Sequence, residues 1–259
     1  MSLGHLDAPP IIEVVCGVHF APLVGLDPLV VGAYGATRRD EFPKHSLHPV
    51  LVEDPARLLS ESPPIRTWLI SADDSFVLQF QSDRFYVNWR KSRGAYPRFG
   101  DHDGGVGLLG KTLSEFERFS AFCESHFGNK PEPLRVELAK IDLFSEREHW
   151  KDFQDLSNLL PCLRPFGGFL DSGAPRLLIR LVGSREAGDL AVTIGSSVRD
   201  AGDGEKTNGI SLETRATAIL PDPTVLREAF VWCNENVNRV FDDLVAEPER
   251  ATRFMKGVP

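Results

Sequence analysis

Apolar residues in "SFVLQFQSDRFYVNWR" (75–90) alternate at Phe76, Leu78 and Phe80, then at Phe85, Val87 and Trp89, and the phase slips by one between the two sets. Strand side chains alternate between two faces, so a two-residue turn at Ser82-Asp83 restores a single phase. Phe80 then lies opposite Phe85, Leu78 opposite Val87 and Phe76 opposite Trp89, with all six on one face of an antiparallel hairpin. The other face carries Gln79, Gln81, Arg84, Tyr86, Asn88 and Arg90. Its polarity predicts a half-buried hairpin with that side turned to water.

The same patterning predicts further strands. "IIEVVCGVHF" (11–20) is nearly continuous in apolar residues, and "IRTWLIS" (65–71) is placed beside the hairpin. "LRVELAKIDLF" (134–144) alternates, and "RLLIRLV" (176–182), "LAVTIG" (190–195) and "ISLETRATAIL" (210–220) read as a three-stranded meander. Helices carry start signals. Asp27-Pro28 opens one over 29–42, and Thr112 with Glu115 forms a capping box for 113–127, closed by Gly128. Ser145 with Glu148 caps 146–160. Asp222-Pro223 opens the longest helix, where Leu226, Phe230, Cys233, Val237, Phe241 and Leu244 recur at helical spacing.

Strands, an insert, more strands and an amphipathic helix ending near 127 are followed by the same order ending near 246. This predicts an α+β fold of two similar halves, 1–130 and 131–259, each an antiparallel sheet backed by a long amphipathic helix.

Composition narrows the function classes. A net charge of −8 gives no global attraction to nucleic acid or anionic membrane, so any such binding needs a local patch. Cys16, Cys123, Cys162 and Cys233 form no CxxC pair, which excludes the usual zinc spacings and offers no disulfide framework. "MSLGHLDAPP" lacks the basic and apolar regions of a secretory signal, and no apolar run spans a bilayer. A soluble protein of the reducing cytoplasm is expected.

The opening "APPIIEVVCGVHF", the later "EFPKH", the central "LQFQSDRFYVNWR" followed by "YPRF", and a closing helix with a central aromatic carry a resemblance. Over almost its whole length the chain resembles a sporadically distributed family of uncharacterised bacterial proteins of similar length. The resemblance implies a bacterial cytoplasmic protein and, through the patchy distribution, a defence or mobile-element setting. It implies no reaction.

Two segments carry candidate chemistry. "GVGLLGKT", Gly105 to Thr112, satisfies the G-x-x-x-x-G-K-[ST] pattern, with Gly105, Gly110, Lys111 and Thr112 as the nucleotide-binding residues. Against it, no strand precedes the loop, Asp101 and Asp103 stand where phosphate charge would arrive, and the chain reads as antiparallel. The second segment is cationic and aromatic. Arg84, Tyr86, Arg90, Lys91, Arg93, Tyr96 and Arg98 form a partner-binding surface able to meet a protein, or to hold phosphates and stack bases. His45 and His48 stand in "PKHSLHP", where two prolines disfavour helical ligand spacing, and no further Cys or His lies near, so no metal is expected. No GxSxG elbow occurs, and no cysteine sits where its pKa would fall. The expected function is that of a binding or regulatory protein acting through a protein partner or self-association, without a cofactor. The alternatives are a nucleic-acid-binding module using 84–98 and a nucleotide-binding enzyme using 105–112.

Overall fold

The computed structural model describes residues 9–49, 65–92, 96–100, 106–146, 148–166, 177–185, 187–200, 206–247, 249 and 254. Along the chain run β1 (Ile11–Phe20), α1 (Pro28–Thr37), β2 (Lys44–Pro49), β3 (Ile65–Ile70), β4 (Phe76–Gln81), β5 (Arg84–Arg90), α2 (Leu108–Phe127) and β6 (Pro133–Ser145). Then follow α3 (Phe153–Leu159), β7 (Leu178–Arg185), β8 (Gly188–Asp200), β9 (Lys206–Ile219) and α4 (Leu226–Leu244), with 3-10 turns at Pro161–Phe166 and Pro223–Val225.

The strands form one nine-stranded antiparallel sheet in the order β2-β3-β4-β5-β1-β6-β9-β8-β7. This corrects the expectation of two similar halves with a sheet each. β1 pairs with β5 along one edge, Val14 opposite Trp89 and Val18 opposite Phe85, and its other edge is taken by β6. A central strand must satisfy its peptide groups on both sides, and element order alone does not reveal which strand does so.

Two compact units divide the chain: Glu13–Leu138 with Thr217–Trp232, and Met1–Ile12 with Ala139–Ala216 and Cys233–Pro259. In the first, the hairpin has the predicted register: Phe80 pairs with Phe85, Leu78 with Val87 and Phe76 with Trp89. Helices α1 and α2 cover that face. Phe119 stacks on Phe85 with ring centroids 5.3 Å apart and meets Phe80 at 5.2 Å, while Tyr34 meets Phe80 at 5.5 Å. Each such buried aromatic contributes about 1.5–3 kcal/mol through area removed from water.

Asp27 caps α1 by accepting from the amides of Leu29 and Val30. Helix α2 starts a turn before the predicted capping box. Its first amides, Leu108 and Leu109, donate to the carbonyls of Arg98 (2.9 Å) and Phe99 (2.8 Å), which supply what a capping side chain would have supplied. Gly107 is obligatory there, because a Cβ would collide with the Gly100 backbone. Gly128 closes the helix at φ 77°, as predicted.

The second unit has its own core, in which Phe144, Trp150, Leu156, Leu159, Ile210, Leu212, Val245 and Phe254 are buried together. The Trp150 indole donates to the Phe144 carbonyl at 2.9 Å. Helix α3 is shorter than expected. Ser145 and Glu148 close a separate turn, and the helix restarts at Asp152, whose carboxylate accepts from the Asp155 amide. β7, β8 and β9 form the predicted meander. β2, which carries His45 and His48, is a strand not anticipated from the sequence; it lies at the sheet edge and ends at Pro49, where a missing donor is tolerated.

Candidate functional site

The side of the hairpin away from α1 and α2 is polar, and it is largely closed to solvent. Tyr86 and Asn88 are each 2 % exposed, Gln79 4 % and Arg84 6 %. The cross-strand register explains how. Tyr86 on β5 stands beside Gln79 on β4, which stands beside Trp68 on β3; on the other side Tyr86 faces Gly17 on β1. The Tyr86 ring fills the space that a side chain at residue 17 would need.

Below that row lies a charged one. Arg84 donates from Nε and Nη2 to the two oxygens of Asp83, at 2.9 and 3.0 Å. Burial works against both charges. The contact with Arg84 nevertheless keeps the Asp83 carboxyl below its usual range, and the contact with Asp83 keeps the Arg84 guanidinium above its own. His19 receives Arg135 Nη2 at Nδ1 (3.1 Å), and its Nε2 lies 3.3 Å from Glu137 and 3.4 Å from the Tyr86 hydroxyl. An arginine only donates, so Nδ1 is the accepting nitrogen and Nε2 carries the proton.

Toward β3 the arrangement changes from paired to unpaired. The His48 ring stacks on Trp68 with centroids 3.7 Å apart, and the guanidiniums of Arg66 and Arg90 lie 5.2 and 4.6 Å from the Trp68 centroid. Arg66 Nη1 donates to Gln79 at 2.8 Å. Asn88 Nδ2 donates to Glu13 Oε1 at 2.7 Å, and Arg90 Nε approaches the same oxygen at 3.5 Å. Yet Arg66 Nε, Trp68 Nε1 and Asn88 Oδ1 are buried and have no hydrogen-bond partner among the described residues. Burial pushes the Arg66 guanidinium below its ordinary range, and Arg90 and Arg84 push it the same way. His48 is likewise lowered by burial and then by Arg66 and Arg90.

The residues expected to form an open contact surface are therefore distributed differently. Arg84 and Tyr86 are buried and Arg90 half-buried on this face; Lys91 and Arg98 are exposed beyond the strand end, and Tyr96 is half-buried with its ring 5.2 Å from Trp89. Arg93 lies outside the described residues. Sequence reasoning missed Glu13, His48, Arg66, Trp68 and Asn88 as a group, because β2 and β3 reach this face only through register. Gly17 within an otherwise bulky strand was the one local sign that something large crosses it.

The P-loop-like segment is built into the fold. Gly105 lies outside the described residues. Gly110 is an ordinary position of α2, and the Thr112 hydroxyl donates to the Leu108 carbonyl at 2.8 Å. Lys111 sits 4.7 Å from the Phe76 ring centroid and 3.8 Å from Glu115. With Leu108 and Leu109 donating to the Arg98 and Phe99 carbonyls, these amides do not face an open phosphate cradle. Glu115 is instead the hub of a buried ion pair: the Arg38 guanidinium donates to both its oxygens and, at 2.9 Å, to the Tyr34 hydroxyl. Burial pushes the Tyr34 phenol up to about 12.

Among the described residues no group of three or more His, Cys, Asp or Glu is placed to hold a metal ion. Cys16, Cys123 and Cys233 are buried and Cys162 is exposed. Burial raises the Cys123 thiol to about 12 and raises Cys162 as well. No family model, curated protein or solved structure matches the chain. Among the described residues no helix is long and apolar enough to cross a membrane.

Proposed function

We propose that this chain is a binding protein that engages a protein partner through the polar face of β3, β4, β5 and β1. One observation carries the reading: Arg66 Nε, Trp68 Nε1 and Asn88 Oδ1 lie on that face, buried and unpartnered among the described residues. Each unmet buried polar atom costs about 1–3 kcal/mol, a cost that a partner supplying the missing acceptors and donor would relieve. The half-buried rim of Arg90 and Glu13, with Lys91 exposed just beyond, supplies the charged margin common at contact surfaces. The resemblance carried by residues 8–20 and 78–99 supports a bacterial, cytoplasmic setting of the defence or mobile-element kind.

Nucleic-acid binding finds less support. Base stacking needs an open aromatic plane, whereas Trp68 is covered by His48 and flanked by two guanidiniums, and Tyr86 is buried. The test compares tagged wild-type chain with Arg90→Ala and Trp68→Ala variants, recovered from cells in which the chain naturally occurs. The same protein must be retained by the wild type and lost by both variants. An interactor set that the substitutions leave unchanged overturns the reading.

A further inference from the structure

We propose that the cluster around Trp68 binds a carboxylate, carried by a ligand that also offers a hydrogen-bond donor. This rests on the binding reading above and specifies the chemistry of what is bound.

The open valences set the ligand. Arg66 Nε and Trp68 Nε1 are both donors, and among the described residues both are buried without an acceptor. An indole N–H and a guanidinium N–H, with a second guanidinium alongside, call for an oxyanion. Charge sets its valence: Arg66 and Arg90 bring two positive charges, and Glu13, 3.5 Å from Arg90, cancels one. His48 adds none, since burial and both arginines hold it below its ordinary range. Arg84 is neutralised by Asp83. One positive charge and two vacant donors match a singly charged carboxylate with two oxygens better than a doubly charged phosphate with more acceptor sites.

Asn88 supplies the other half of the specification. Its Nδ2 is committed to Glu13, which only accepts, so the amide orientation is fixed and Oδ1 is left as the acceptor. Oδ1 has no donor among the described residues, and Asn88 is 2 % exposed. The ligand must bring that donor. Arg90 connects the two halves, since it touches both the Trp68 ring and the carboxylate that holds Asn88. Two sources offer this chemistry: a free α-hydroxy or α-amino acid, and an acidic residue of a partner segment, whose own backbone N–H is the donor.

The test is titration of the purified full chain with lactate, acetate, blocked aspartate (N-acetyl, C-amide) and inorganic phosphate, followed by calorimetry and tryptophan fluorescence. Lactate or blocked aspartate is expected to bind in the millimolar range, tighter than acetate, which has no donor, and tighter than phosphate. Lactate alone assigns a free acid; blocked aspartate alone assigns a partner side chain. Trp68→Phe keeps the ring and removes one N–H, and is expected to weaken binding about tenfold. Asn88→Leu is expected to abolish the preference for lactate or blocked aspartate over acetate. Circular dichroism checks that both variants fold. Failure of all four probes to bind, phosphate binding more tightly than either preferred acid, or binding unaltered in both variants overturns the assignment. If no probe binds while Arg90→Ala and Trp68→Ala still lose a partner, the carboxylate assignment falls and the partner reading stands. If the probes bind and no partner depends on these residues, the reverse holds.

Discussion

Phe85, Val87 and Trp89 point to one side of β5 and Arg84, Tyr86 and Asn88 to the other, yet all six are under a tenth exposed. On the helix side the closure is hydrophobic: Phe116 and Phe119 meet the strand ring to ring. On the polar side the hairpin turn contributes Asp83 to Arg84 and the neighbouring β1 contributes Glu13 to Asn88, so buried polar groups are paired with each other. Burial and apolarity are separate properties of a sheet face. A polar face in the middle of five strands has partners to hand, and an edge strand does not. The comparison also shows where closure is incomplete, because on the helix side the buried Arg38 has a bidentate partner, whereas Arg66 Nε has none among the described residues.

The largest test breaks the satisfied side. Glu115→Ala removes the buried bidentate partner of Arg38, leaving only the exposed Glu41 carboxylate at 3.1 Å, and is expected to cost about 3 kcal/mol in urea denaturation. Next comes the buried carboxyl of the other unit. Burial raises Asp142 to about 7, an effect that Lys140 only partly offsets. The folded chain then binds more protons than the unfolded chain between the two pKa values. Stability should fall, by on the order of a few kcal/mol, as pH rises from about 4 through 7. Asp142→Asn should remove this contribution, and melting curves across that range will show it. Gly17→Ala drives a methyl into the Tyr86 ring and is expected to cost about 1–3 kcal/mol, with loss of the carboxylate response if the polar face shifts. The smallest effect sharpens the comparison by its size. Lys111→Ala removes a half-buried ion pair and a cation–ring contact, so it should cost under about 1 kcal/mol and leave any thermal response to ATP and Mg²⁺ unchanged.

The hairpin was legible because its six apolar residues fix a register that one turn satisfies; β6 and the meander were legible by period, and β1 by its nearly continuous apolar run. What was not legible depends on distant pairing. Nothing local says that β1 lies between β5 and β6, or that Trp68 and Asn88 share a face two strands apart. The solvent face assigned to Arg84 and Tyr86 followed from reading polar as exposed. That rule fails wherever charged residues meet across a ladder. The start of α2 escaped for a related reason: the carbonyls that cap it come from Arg98 and Phe99, ten residues upstream.

The placement of the four cysteines makes the native chain its own reporter of opening. An alkylating reagent reaches the exposed Cys162 in the folded chain, slowly at neutral pH because partial shielding of the thiol raises its pKa, whereas Cys16, Cys123 and Cys233 react only after the surrounding structure opens. Cys16 and Cys123 belong to one compact unit and Cys233 to the other. Labelling rates resolved by peptide will therefore time each unit separately, without a single introduced residue.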